Sequence, residues 1–267
     1  MCKPLAWTRR LPAGSPGAPN RSRVRSVVPA APVLALLALL AVGPRTAHAQ
    51  YLSWNDCITA GQGSLTFACD RNDGAALLVG SFRAPSGITA LSSIEANLDF
   101  QSGAYPLPDW WAFTSGCAAR STALSVGFDF TQLSACSDYW QGQAFGDVSL
   151  EPGYGGTNRI KMVVTGTMDG SSVGPLVATN NYYAFALRIG YIGTVGPGAC
   201  AGCGAGACIA FNSITLRQVP PGSAVTLAIP SSNIVTWQPS GSPVPPDCRA
   251  ATPARQATWG VIKGLYR

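Results

Sequence analysis

From Ile94 to Gln101 the chain alternates: Ile94, Ala96, Leu98 and Phe100 are apolar, and Glu95, Asn97, Asp99 and Gln101 are polar. A period of two puts successive side chains on opposite faces of a strand, one dry and one wet. Leu124, Val126, Phe128 and Phe130 repeat the pattern, as do Ile160, Met162 and Val164, and then Tyr183, Phe185, Leu187 and Ile189. Residues 51–57 and 75–82 also read as strands, as do less regular runs at 209–219, 224–229 and 234–238, with Gly, Pro, Asn and Ser between them. No segment from Gln50 to residue 250 keeps a helical period. The pattern predicts an all-β fold, a single antiparallel β-sandwich or jelly roll over residues 50–238.

What precedes that span sets its compartment. Residues 33–42 are uninterruptedly apolar, follow Arg21, Arg23 and Arg25, and lead into Ala47-His48-Ala49. A basic lead, a short apolar run and a small-x-small triplet describe a secretory signal peptide over residues 1–49, cleaved after Ala49. A bilayer-spanning helix needs roughly 20 apolar residues, so this run does not predict a span. The lead is long and holds Pro4, Pro12, Pro16 and Pro19; a start near Val24 or Val27 gives a signal of ordinary length. Arg9-Arg10 reads as a chance pair, because it lies far from the apolar run and is followed by Leu11-Pro12.

Cleavage changes the charge. Seven of the 18 Lys and Arg residues precede Gln50 and none of the 12 acidic residues does, so the mature chain carries 11 basic against 12 acidic residues, a net charge of −1. The basic footprint of a nucleic-acid binder is absent. The single histidine, His48, leaves with the signal. That removes Ser-His-Asp and Cys-His nucleophile pairs and every imidazole-dependent metal site from the expected chemistry. No cofactor and no metal is expected.

Nine cysteines less Cys2 leave Cys57, Cys69, Cys117, Cys136, Cys200, Cys203, Cys208 and Cys248, an even number in an exported chain and so a disulfide framework. Sequence proximity predicts Cys57 with Cys69 and Cys117 with Cys136, each closing a short loop between strands. In the glycine-alanine knot from Cys200 to Cys208, Cys200-x-x-Cys203 reads as disulfide cysteines, since no helical period marks a redox motif. One knot cysteine is expected to capture Cys248. Asp70-Arg-Asn-Asp-Gly74 reads as turn chemistry, one residue short of an acidic calcium loop.

From Pro239 the composition becomes Pro- and Ser-rich, which predicts a linker over 239–257 and a short apolar tail over 258–267. In the tail, Trp259, Ile262 and Leu265 or Tyr266 fall at helical spacing, the layout of a docking or sorting segment or of one that packs back on the sandwich.

Two aromatic clusters are candidate binding residues. Trp110 and Trp111 follow Asp109 in a loop, and Tyr139 and Trp140 follow Asp138 just past Cys136. A Cys117–Cys136 bridge would make them neighbours, and ring faces beside Asp138 suit a carbohydrate. Three functional readings result. The first is a non-enzymatic extracellular or cell-surface domain with a structural or adhesive role. The second is a carbohydrate-binding module using Trp110, Trp111, Asp138, Tyr139 and Trp140. The third is a glycoside hydrolase drawing on Glu95, Glu151, Asp99, Asp129 or Asp138 as its carboxylate pair. The partner expected is a glycan or a surface component, with no nucleic acid and no membrane span after cleavage. Intact-mass analysis of the secreted protein is expected to give a chain beginning at Gln50, and full reduction to add about eight protons' mass, two per bridge.

Overall fold

The computed structural model describes residues 50–114, 117–169, 174–219, 224–228 and 233–246. The expected signal segment, Cys248 and the tail from Thr258 lie outside these residues. The described chain forms eleven strands: β1 (Gln50–Trp54), β2 (Ser64–Leu65), β3 (Ala75–Arg83), β4 (Leu91–Ser102), β5 (Leu124–Gly127), β6 (Phe145–Pro152), β7 (Arg159–Thr167), β8 (Asn181–Gly190), β9 (Ala207–Gln218), β10 (Val225–Ala228) and β11 (Ile234–Trp237). They build a four-stranded sheet, in the order β1-β3-β8-β5, and a seven-stranded sheet, in the order β2-β11-β9-β4-β7-β6 with β10 paired to β9. All pairings are antiparallel except β11 with β2. No described helix is long and apolar enough to cross a membrane.

The two sheets differ in how much of them is wet. In β8 every residue from Tyr182 to Leu187 is buried, so both faces of the four-stranded sheet are covered there. In β7 burial alternates, with Ile160, Met162, Val164 and Gly166 inward, leaving an outer face in solvent. Gly80 of β3 shows how closely the layers meet. A Cβ there would collide with the Phe185 ring, so only glycine fits. Gly146 and Gly166, paired across β6 and β7, likewise leave room beneath them for the Phe128 ring.

β6 is not among the strands the sequence alternation picks out. It is the edge of the larger sheet and its residues are mostly exposed; its inward side brings only Val148 and Leu150, both partly buried, against the core, with Gly146 and Pro152 at either end of the row. The expected strand through Phe130 also ends early. β5 stops at Gly127, while Phe128 and Phe130 are buried as core side chains outside any ladder.

The disulfides correct the expected pairing. Cys57 joins Cys136, Cys69 joins Cys203 and Cys117 joins Cys200, across 79, 134 and 83 residues. Cα–Cα separations of 6.0, 6.0 and 5.6 Å are ordinary for bridged cysteines. Sequence proximity misleads because consecutive strands go to different sheets, which carries neighbouring cysteines apart. Each bridge instead ties one inter-strand loop to a distant one. In the chain-entropy model loops this long are worth about 4–5 kcal/mol each, less in sum because the three overlap. The knot residues Cys200 and Cys203 are both in disulfides, as expected, and Cys208 is disulfide-bonded too.

Past residue 238 the described chain keeps contact with the larger sheet without adding a strand to it. The Gly206 N–H donates to the Pro243 carbonyl at 2.9 Å, and Pro245 packs over the same glycine, just before β9.

The five tryptophans in the described residues, Trp54, Trp110, Trp111, Trp140 and Trp237, have no exposed surface. Replacing Trp140 with alanine is expected to lower the unfolding free energy by about 3–5 kcal/mol, as for a large aromatic removed from a core. A denaturant-unfolding curve measures it.

Candidate functional site

Burial decides the fate of the two aromatic clusters. Trp110 and Trp111 enter the core from the loop after β4, where Trp110 stacks on Trp237 at 5.2 Å and Trp111 lies 4.4 Å from the Phe100 ring. The Trp110 indole N–H donates to Thr194 Oγ1 at 3.0 Å. Trp140 packs edge-on to Phe128, and its N–H donates to the Tyr183 carbonyl at 3.0 Å. These three rings therefore form no exposed platform, contrary to the sequence expectation. The Cys117–Cys136 bridge that would have drawn the clusters together is replaced by bridges to Cys200 and Cys57. Apolar rings in a loop sequence carry no mark of which way they point, and core packing took them.

Asp138 and Tyr139 do reach the surface. With Gln141, Gln143, Met168 and Tyr182 among the lining residues, they border a small polar depression of about 250 Å³. One Asp138 oxygen accepts the backbone N–H groups of Trp140 and Gln141, both at 3.0 Å, and so shapes the turn after Cys136. The Tyr139 hydroxyl lies 3.1 Å from the Leu91 carbonyl and 3.0 Å from that of Gly174, and burial pushes its pKa up to about 12.

The carboxylates proposed for hydrolysis are dispersed. Glu95 faces Arg217 at 3.4 Å and Glu151 faces Lys161 at 4.0 Å, both on the wet side of the seven-stranded sheet. Asp99 is buried beside Arg159 at 3.7 Å, and burial raises its pKa. Asp129 is held below the usual carboxylate range by hydrogen bonds from Thr131. Among the described residues, no group of three or more His, Cys, Asp or Glu side chains is arranged to hold a metal ion.

A larger depression, about 580 Å³, opens on the outer face of the seven-stranded sheet. Strand register explains its shape. One row of outward residues runs Phe145, Thr167, Ser93, Arg217 across β6, β7, β4 and β9; two residues along, a second row runs Asp147, Thr165, Glu95, Thr215. Between them lie Gly146, Gly166, Ile94 and Leu216, whose side chains, where present, point inward. The result is a transverse groove with a backbone floor and two side-chain walls. Its length across four strands is three inter-strand spacings, about 14 Å. Sequence reading missed it because its residues come from four strands and only register brings them into rows. The alternation from Ile94 to Gln101 does place Glu95 on the wet face.

No protein-family model matches the chain, and no curated protein is detectably similar to it.

The raised Tyr139 pKa gives stability a pH dependence. The unfolded chain loses that proton near pH 10 and the folded one near 12, so the contribution is complete below pH 10 and is lost as the pH rises toward 12. Arg120, whose pKa burial lowers to about 10, acts in the opposite direction over the same interval. Tyr139→Phe leaves Arg120 in place, so the difference between variant and wild type isolates the phenol. The variant is expected to lose less stability than wild type between pH 10 and 12, as read from thermal melts across that range.

Proposed function

We propose that the chain is a secreted, disulfide-stapled, non-enzymatic extracellular or cell-surface domain with a structural or adhesive role. The observation that carries this reading is the use made of its reactive groups. The carboxylates singled out for hydrolysis serve as turn acceptors or as partners of Arg and Lys. The five tryptophans among the described residues and the Arg120 cation are spent inside the core. Three long-range disulfides support an oxidising destination, in keeping with the signal segment read at residues 1–49. A stapled sandwich with a wet sheet face suits a domain that must persist outside the cell and present a surface.

The test is expression with the native leader, followed by fractionation and incubation of the purified product with neutral and acidic polysaccharides. The expected outcome is protein in the medium or surface fraction, resistant to protease until its disulfides are reduced, and no sugar product released. Release of reducing ends by wild type, lost in Glu95→Gln, would replace this reading with a hydrolase.

A further inference from the structure

We propose that the transverse groove across β6, β7, β4 and β9 is a binding site for an uncharged glycan. The inference builds on the reading of a non-enzymatic surface domain and assigns that domain a ligand class and a place to bind it.

Three features of the groove select the chemistry. The first is a ring. Phe145 stands at the open end of one wall, on the edge strand, with 67% of its surface exposed. The five tryptophans among the described residues are sealed in the core, whereas Phe145 offers the groove a free apolar face. The C–H-rich face of a pyranose packs on such a ring.

The second is a set of polar groups that are only loosely engaged. Arg217 Nη2 lies 3.4 Å from Glu95 Oε2, with both side chains about half exposed. Charge-assisted pairs in good contact close to about 2.7–2.9 Å, so this one can admit a hydroxyl group that accepts from the guanidinium and donates to the carboxylate. The hydroxyls of Thr165 and Thr167 sit 3.4 Å from the carbonyls of Asp147 and Ser92, at the weak limit of a hydrogen bond. Exposed Asp147 completes the far wall, two strands from Glu95, with one oxygen already accepting the Val148 N–H at 2.7 Å. Vicinal sugar hydroxyls, each donor and acceptor at once, match this mixture.

The third is charge. Two carboxylates face one guanidinium, which disfavours a polyanion, while Arg217 stands against a polycation. A neutral, hydroxyl-rich chain avoids both conflicts and needs no counterion release, so its binding is expected to depend weakly on salt.

Binding is tested on the intact, oxidised protein against an array of neutral oligosaccharides, such as β-glucans, chitin fragments and mannans. The best probe is then titrated by calorimetry. Wild type is expected to bind at least one neutral glycan with little change between low and high salt. Phe145→Ala and Asp147→Asn should each weaken it about tenfold, equivalent to about 1.4 kcal/mol. Melting temperatures should stay near wild type, because both side chains lie on the surface. Thr165→Trp, which would fill the groove from its wall, should abolish binding. Absence of any neutral glycan ligand overturns the proposal. So does binding that survives both Phe145→Ala and Thr165→Trp, or a preference for acidic glycans that vanishes with salt. Concentration-dependent self-association abolished by Phe145→Ala, without glycan binding, would instead identify the β6 edge as a contact between copies. None of these results touches the secretion and turnover measurements that test the broader reading, so the two can fail separately.

Discussion

Trp237 is where the two sheets are locked together. It ends β11 in the larger sheet, and its ring lies 6.0 Å from Trp54 of β1 in the smaller one, 5.9 Å from Phe67, and 5.2 and 5.4 Å from Trp110 and Trp111. Rings of this size bring a large apolar payload but must be oriented, and polar tips do the orienting. The Trp237 indole N–H donates to the Cys203 carbonyl at 2.8 Å, and that of Trp54 donates to the Thr236 carbonyl at 3.0 Å. Cys203 is in turn bridged to Cys69, two residues from Phe67. First strand, last strand, core loop and glycine-alanine knot thus converge on one buried aromatic cluster. Its disulfide acts on the unfolded chain, while its packing acts on the folded one.

Arg120 extends the same cluster into unusual territory. It is fully buried, with its guanidinium 3.9 Å above the Trp110 ring and 5.4 Å from that of Phe113. Its Nε donates to the Trp110 carbonyl at 2.8 Å, and Nη1 to the carbonyls of Gly190 and Ile192. No carboxylate appears in this set. Desolvating a cation is expensive, and carbonyl dipoles plus a ring face offset much of the penalty without introducing a second buried charge. Because those carbonyls belong to the loop after β4, to the last residue of β8 and to the loop that follows it, the cation pins one loop to the other. Cys117, three residues before it, does the same covalently through Cys200.

How much of this is legible in the sequence varies with the kind of signal. Where a strand buries one face, period-two alternation reports it, and β4 and β7 stand out for that reason; in β8, covered on both faces from Tyr182 to Leu187, the alternation is of large Tyr183, Phe185 and Leu187 with small Ala184 and Ala186. β6 is faint because only Val148 and Leu150 mark its inward face, between Gly146 and Pro152, although it carries one end of the groove. Cysteine count foretells a framework but not its pairing, since pairing is decided by which loops the topology brings together. The tryptophans of the loops are the hardest case. Asp109-Trp-Trp and Asp138-Tyr-Trp look alike as sequences that could face either way; the structure buries all three indoles and leaves only Asp138 and Tyr139 of the expected site at a surface depression. The groove was beyond reach because no single segment encodes it.

Its position follows from how the larger sheet is covered. Toward the C-terminal end of β4, Leu98, Asp99 and Phe100 are buried in succession, and β9 is buried continuously from Ala207 to Phe211, so both faces are closed there. The chain after β11 contributes to that cover: the Pro243 carbonyl holds Gly206, and Pro245 occupies the space a side chain at that glycine would need. Proline suits such a cover, because it lacks the N–H that would extend a ladder. At the opposite end of the same strands burial alternates, and the outward rows from Phe145 to Arg217 and from Asp147 to Thr215 stay in water. Beneath them the Phe128 ring presses up against Gly146 and Gly166, so the floor is supported from inside and made of backbone outside. A floor of backbone held from beneath needs no rearrangement when something settles on it, whereas each long polar side chain of the walls would cost about 0.5–1.5 kcal/mol to immobilise, so pre-organisation at this end of the sheet lies in the floor and not in the walls.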